Sequence, residues 1–142
     1  MERRDFIRKS CTLCLGAMAG ISVLTLAESC ASGKIVKREA QDNKITVAVT
    51  DFGPEDPFII VRAQSLSFDI LLHRNQDDSY NALYMQCTHY DNPVYANKKE
   101  IFCPSHGSKF DFNGHVTKEP ATRNLKQFRT EKNNQDIIIY LS

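Results

Sequence analysis

The chain has 142 residues and a formal net charge of +1, with 42% hydrophobic and 25% charged residues. That describes one globular domain of ordinary size, with no room for a second large catalytic domain. Near-neutral charge without a basic stripe excludes a nucleic-acid footprint.

The charges are placed unevenly. Residues 1–30 hold four Lys/Arg, all before Ser10, whereas residues 31–142 balance cations against anions. A basic start followed by the uncharged, largely apolar stretch Cys11 to Ala27 reads as a bacterial export signal. The adjacent Arg3 and Arg4, with Phe6 and Ile7 behind them, resemble the twin-arginine type, which exports folded proteins, often with their cofactor in place. The apolar stretch is short for a spanning helix of about 20 residues and long for a signal core, so it reads as a signal or a retained anchor. Ala27-Glu28-Ser29-Cys30 also resembles a lipoprotein cleavage box with Cys30 as the acylated residue, although Glu28 is unusual there. These readings place the domain on the outer face of the cytoplasmic membrane or in the periplasm, tethered to the membrane. Cys11 and Cys14 lie inside the apolar stretch and read as small apolar side chains. The chain divides into 1–30 (signal or anchor), 31–43 (polar linker) and 44–142 (domain).

From Lys44 the pattern is that of strands. Ile45, Val47 and Val49 alternate with smaller residues, Phe58 to Val61 is a short apolar run, and Phe68, Ile70 and Leu72 alternate again. Asn75 to Asp78 is a turn before a strand at Tyr80 to Met85. Shorter strands are expected at Val94 to Ala96, Ile101–Phe102, Phe110 to Phe112 and His115 to Thr117, with Asn113–Gly114 as a two-residue hairpin turn. Leu125 to Thr130 and Ile137 to Leu141 close the sheet. The expectation is an all-β domain of eight to ten antiparallel strands in a sandwich or partly open barrel.

The chemistry lies between Cys87 and His106. Cys87-Thr88-His89 and Cys103-Pro104-Ser105-His106 each supply one thiol and one imidazole. Pro104 and Gly107 shape the second loop by fixing φ at one place and freeing it at another. Such a Cys2His2 set suits a single tetrahedral zinc, or a two-iron cluster with both cysteines on one iron and both histidines on the other. His73 and His115 read as strand-surface histidines, and Lys98–Lys99 as a solvated turn.

The run C-T-H…C-P-S-H-G-S-K-F-D-F-N-G resembles the Rieske [2Fe–2S] family. All four ligands, Pro104, Gly107, Ser108, the aromatic Phe110 and Asp111 are in register, and the likeness covers roughly Tyr80 to Leu125. It implies a Rieske-type fold with a cluster-binding subdomain of two loops, and one [2Fe–2S] cluster on Cys87, His89, Cys103 and His106. Rieske centres have potentials of about −150 to +300 mV, raised by the neutral imidazoles. The loops of respiratory-chain members are tied by a disulfide; Asn92 and Ser105 hold those positions here. Ser108 matches a serine that donates to a cluster sulfur, while Phe110 replaces a donating tyrosine. The potential is therefore expected below that of quinol-oxidising members. Pro120–Ala121 resembles the family's proline loop, with Glu119 in place of a glycine.

The resemblance implies an electron carrier rather than an enzyme, acting as small subunit or partner of a larger oxidoreductase or cytochrome, in the manner of the arsenite oxidase small subunit. A Rieske ferredoxin serving an oxygenase fits the missing disulfide but conflicts with the export signal. A zinc-stabilised binding module is the alternative from another class.

Overall fold

A computed structural model describes residues 33–142. Eleven strands follow one another: β1 (Lys34–Lys37), β2 (Lys44–Ala48), β3 (Phe58–Arg62), β4 (Ile70–Arg74), β5 (Tyr80–Tyr84), β6 (Tyr95–Ala96), β7 (Ile101–Phe102), β8 (Lys109–Phe110), β9 (Val116–Lys118), β10 (Gln127–Lys132) and β11 (Asp136–Tyr140). The one helical element among the described residues is a short 3-10 turn at Val49–Asp51. Seven strands form a curled half-barrel in the order β1-β3-β4-β5-β10-β11-β2. The remaining four, β6-β7-β8-β9, form a small second sheet.

Two sequence expectations need correction here. The stretch 31–43 is not only a linker: Lys34–Lys37 adds to the sheet edge, parallel to β3, with Ile35 opposite Ile60 and Val36 opposite Val61. Val36 alone faces inward among charged neighbours, so the strand carries almost no periodic signal. The second concerns Asn113–Gly114. Only Gly114 takes a positive φ, of 82°, and the turn is closed by Gly114 N–H donating to the Asp111 carbonyl at 3.0 Å. Residues 112–113 are thus central, and Gly114 is the left-handed residue after the turn.

Period-two alternation decides what the sheet buries. In β2 and β11, Ile45 and Val47 lie opposite Ile139 and Ile137 on the inner face, with Thr46, Ile138 and Tyr140 on the other face. Strands β3, β4 and β5 are apolar on both faces. Ile59, Val61, Ile70, Leu72, Tyr80 and Ala82 line the half-barrel core. The alternate residues Phe58, Ile60, Leu71 and Leu83 line a second core beneath the small sheet. A strand covered on both sides reads as a continuous apolar run, as Phe58 to Val61 does.

The second core positions the functional loops. It contains Cys87, Cys103, Phe110, Ala121 and Leu125 besides that shared wall. The whole small sheet is an excursion between β5 and β10, which pair with each other, Gln127 opposite Leu83 and Phe128 opposite Ala82. His73 of β4 is half-buried at the joint between the two parts, stacked on Phe112, and so is not a free surface histidine. Asn81 of β5 fastens the joint, donating to the Phe112 carbonyl and to Asn113 Oδ1, both at 3.0 Å.

Candidate metal centre

Cys87 opens the loop that leaves β5, and Cys103 the loop that leaves β7. The two loops share one backbone frame. Cys87 N–H donates to the Asn92 carbonyl at 2.7 Å, and Asp91 N–H donates back to the Cys87 carbonyl at 2.9 Å. In the second loop Cys103 N–H donates to the Ser108 carbonyl at 2.8 Å, and Gly107 N–H to the Cys103 carbonyl at 3.0 Å. The donors four residues after each cysteine both lie in the left-handed region, Asp91 at φ 48° and Gly107 at φ 83°. The resemblance carried Gly107; Asp91 was missed. The signal for it was spacing, since Asp tolerates this backbone better than most residues.

Both thiols are buried, 1% exposed, and neither forms a disulfide. The imidazoles of His89 and His106 meet edge to face, with centroids 5.0 Å apart and planes at 85°. His106 is exposed and His89 is half-buried. Nδ1 of His89 is buried without a hydrogen-bond partner. A buried polar atom left unmatched costs stability unless something binds it, and metal ligation is such a use.

The donor set fits a two-iron cluster. Two thiols in apolar surroundings and two adjacent imidazoles form two pairs. A single tetrahedral zinc asks for four donors around one centre, whereas a two-iron cluster asks for two on each iron.

The surrounding residues hold the loops rigid. Ser108 is fully buried and its Oγ accepts the Ala121 N–H at 3.0 Å, which leaves its own O–H free to donate. Ala121, also buried, follows a cis Glu119–Pro120 bond, and its hydrogen bond to Ser108 sets this loop beside the second ligand loop. The same segment grips the first ligand loop: Thr88 Oγ1 donates to the Arg123 carbonyl at 2.5 Å, and Arg123 Nη2 donates to the Thr88 carbonyl at 3.2 Å. Phe110 is fully buried, opposite Ile101 in the small sheet. Asp111 caps the following turn, its Oδ1 accepting the N–H groups of Asn113 and His115. Gly114 lies so close to Leu83 that an added Cβ would stand 2.9 Å from its Cδ2.

Pro104 and Ser105 are exposed, as is His106. Tyr90 joins them: its ring centroid is 4.5 Å from that of His89 and 5.6 Å from that of His106. The motif gave no reason to single it out. Lys98 and Lys99 are exposed in the turn between β6 and β7, where Asn97 Oδ1 accepts the Lys99 N–H, in keeping with a solvated turn. His115 is exposed beside Asp111. Arg3, Arg4, Cys11, Cys14 and Cys30 lie outside the described residues. Among the described residues, no helix is long and apolar enough to cross a membrane.

Comparison with solved structures finds the same architecture repeatedly. The cyanobacterial plasma membrane Rieske protein PetC3 of Synechocystis PCC 6803 is 24% identical, with a TM-score of 0.52 over 58% of this chain and 85% of that one. A chain of the complex of reduced oxygenase and oxidised ferredoxin in carbazole 1,9a-dioxygenase is 22% identical, with a TM-score of 0.55 over 71% and 95%. Naphthalene 1,2-dioxygenase is 19% identical with a TM-score of 0.57, over 70% of this chain but 26% of its own. At these identities the likeness establishes the fold. No curated protein matches the sequence. The family model for the Rieske [2Fe-2S] domain matches residues 30–129, most of the chain, and with the paired Cys–His loops in place the chain belongs to the Rieske [2Fe–2S] domain family.

Proposed function

We propose that this chain is an exported, membrane-tethered electron carrier that passes single electrons to or from a larger oxidoreductase. Cys87 and Cys103 hold one iron of a [2Fe–2S] cluster, and His89 and His106 the other. When bound, the cluster supplies a one-electron redox centre whose potential is raised by the neutral imidazoles. The observation that carries the reading is the asymmetric pair of loops: both thiols are buried, whereas the two imidazoles lie together with one of them exposed.

The protein's own part is to fix these donors and limit their surroundings. The paired backbone frames hold the cysteines, Ser108 offers a hydroxyl beside the second loop, and Phe110 fills the space behind with an apolar ring. Arg3 and Arg4 direct folded export, and either the apolar segment that follows or an acylated Cys30 keeps the domain at the membrane. The partner is a larger subunit or a cytochrome.

Iron and sulfide analysis of the purified protein tests the cluster: two irons and two sulfides per chain are expected, with a Rieske-type EPR signal on reduction. One zinc and no sulfide would mean a zinc-stabilised module instead. Export is tested by Arg3→Lys/Arg4→Lys, which should strand the holoprotein in the cytoplasm. Palmitate labelling that disappears in Cys30→Ala would decide for acylation over an uncleaved anchor.

A further inference from the structure

The two ligand loops share a backbone frame but not a ligand position. Counting from each cysteine, the histidine ligand is the second residue in the first loop (His89) and the third in the second (His106). The frame therefore gives Tyr90 the place in the first loop that His106 holds in the second. His89 corresponds to Ser105. Yet Ser105 is exposed and His89 is not. The ring that stands on His89 is that of Tyr90, in an edge-to-face contact at 4.5 Å and 85°, and it reaches His106 as well, at 5.6 Å. Edge-to-face packing between aromatic rings is attractive. Tyr90 is itself 68% exposed, so it covers His89 without being part of a core. Its backbone has little freedom to move off: Thr88 is tied to Arg123, and Asp91 is bonded back to Cys87.

We propose that Tyr90 is a positioning residue that shields His89, leaving His106 as the one open imidazole of the centre. A redox partner then docks against His106, flanked by Pro104 and Ser105, and not across both rings. The inference rests on the cluster reading above.

Carbethoxylation of the oxidised holoprotein with diethyl pyrocarbonate, followed by peptide mass mapping, tests it. Exposed His115 serves as the internal reference. Reaching His89 requires Tyr90 to give up its two ring contacts, so labelling of His89 is expected about tenfold slower than that of His106. Tyr90→Ala should bring the two rates within about twofold, an opening cost close to zero. Tyr90→Phe should restore the difference, because the ring and not the hydroxyl makes the contact. The EPR spectrum of the reduced centre should be unchanged in both variants, which separates shielding from a damaged loop. Equal labelling of His89 and His106 in the wild type overturns the proposal, as does continued protection of His89 in Tyr90→Ala with the cluster retained. If Tyr90→Ala does not keep its cluster, Tyr90→Leu and the wild-type ratio decide. Protein that contains no iron and sulfide would instead overturn the cluster reading itself.

Discussion

The imidazole of His73 lies flat against the ring of Phe112, centroids 4.5 Å apart and planes 8° from parallel. This contact joins β4 of the half-barrel to the turn of the small sheet. His73 Nδ1 also meets Asn75 Oδ1 at 3.0 Å. Burial holds the imidazole below its ordinary pKa of 6.5, the Asn75 hydrogen bond opposing in part.

A pH dependence follows from that depression. Below pH 6.5 the unfolded chain binds a proton at this position before the folded one does, so stability rises with pH through the interval between the folded pKa and 6.5. The loss begins as pH falls through 6.5 and is complete below the folded pKa. His73→Phe removes the titration and keeps the stack. Thermal unfolding between pH 7 and pH 5 should show a shallower acid loss in the variant; parallel curves would show that His73 contributes nothing.

Ser108 has two duties that one substitution separates by readout. Ser108→Ala leaves the buried Ala121 N–H without its acceptor, which costs about 1–3 kcal/mol and lowers the melting temperature. With the proposed cluster in place, losing the hydroxyl donor also lowers the reduction potential by tens of millivolts, using ~59 mV per tenfold change for one electron. Phe110→Tyr adds a donor and should raise it by a similar amount. An unchanged potential in Ser108→Ala, with the cluster intact, would mean the hydroxyl is not directed at the centre. Film voltammetry measures both.

The left-handed donors of the two loops give a paired stability test. Nothing lies within 4 Å of a Cβ added at Gly107, so Gly107→Ala meets only backbone strain, about 1–2 kcal/mol. Asp91→Gly relieves strain of the same kind at φ 48° and should leave stability unchanged or slightly raised. Chemical denaturation of the holoprotein reads both. A more stable Gly107→Ala would contradict the shared frame.

Thr88 is held to Arg123 by its hydroxyl, and Thr88→Val keeps the shape while removing that bond. A cost of about 1 kcal/mol is expected, with faster loss of the centre to an iron chelator. Arg123→Ala should matter less, because its guanidinium makes a longer bond at an exposed site.

The strands were legible where apolar residues alternate, as in Ile45–Val47, or run unbroken, as in Phe58 to Val61 and Ile137 to Ile139. Strand β1 was not, because a single inward valine among lysines gives no period. The sequence marks a turn at Asn113–Gly114, but the turn lies one residue earlier, over 112–113, since Asn113 tolerates a positive φ without requiring one. At the candidate centre the motif carried Cys87, His89, Cys103 and His106 with Ser108 and Phe110. Asp91, Arg123 and Tyr90 were invisible, because each acts through a backbone frame or a ring contact that only the folded loops create.

Strands β5 and β10 are neighbours in the half-barrel, so residues 85–126 depart from and return to adjacent rungs of a single ladder. The segment that carries the centre is therefore a removable cassette. Any sheet offering two neighbouring antiparallel strand ends meets its attachment requirement, provided the apolar outer face formed here by Phe58, Ile60 and Leu71 travels with it. Docking loops exchanged between relatives at these two rungs would leave the hydrogen-bond register of the host undisturbed.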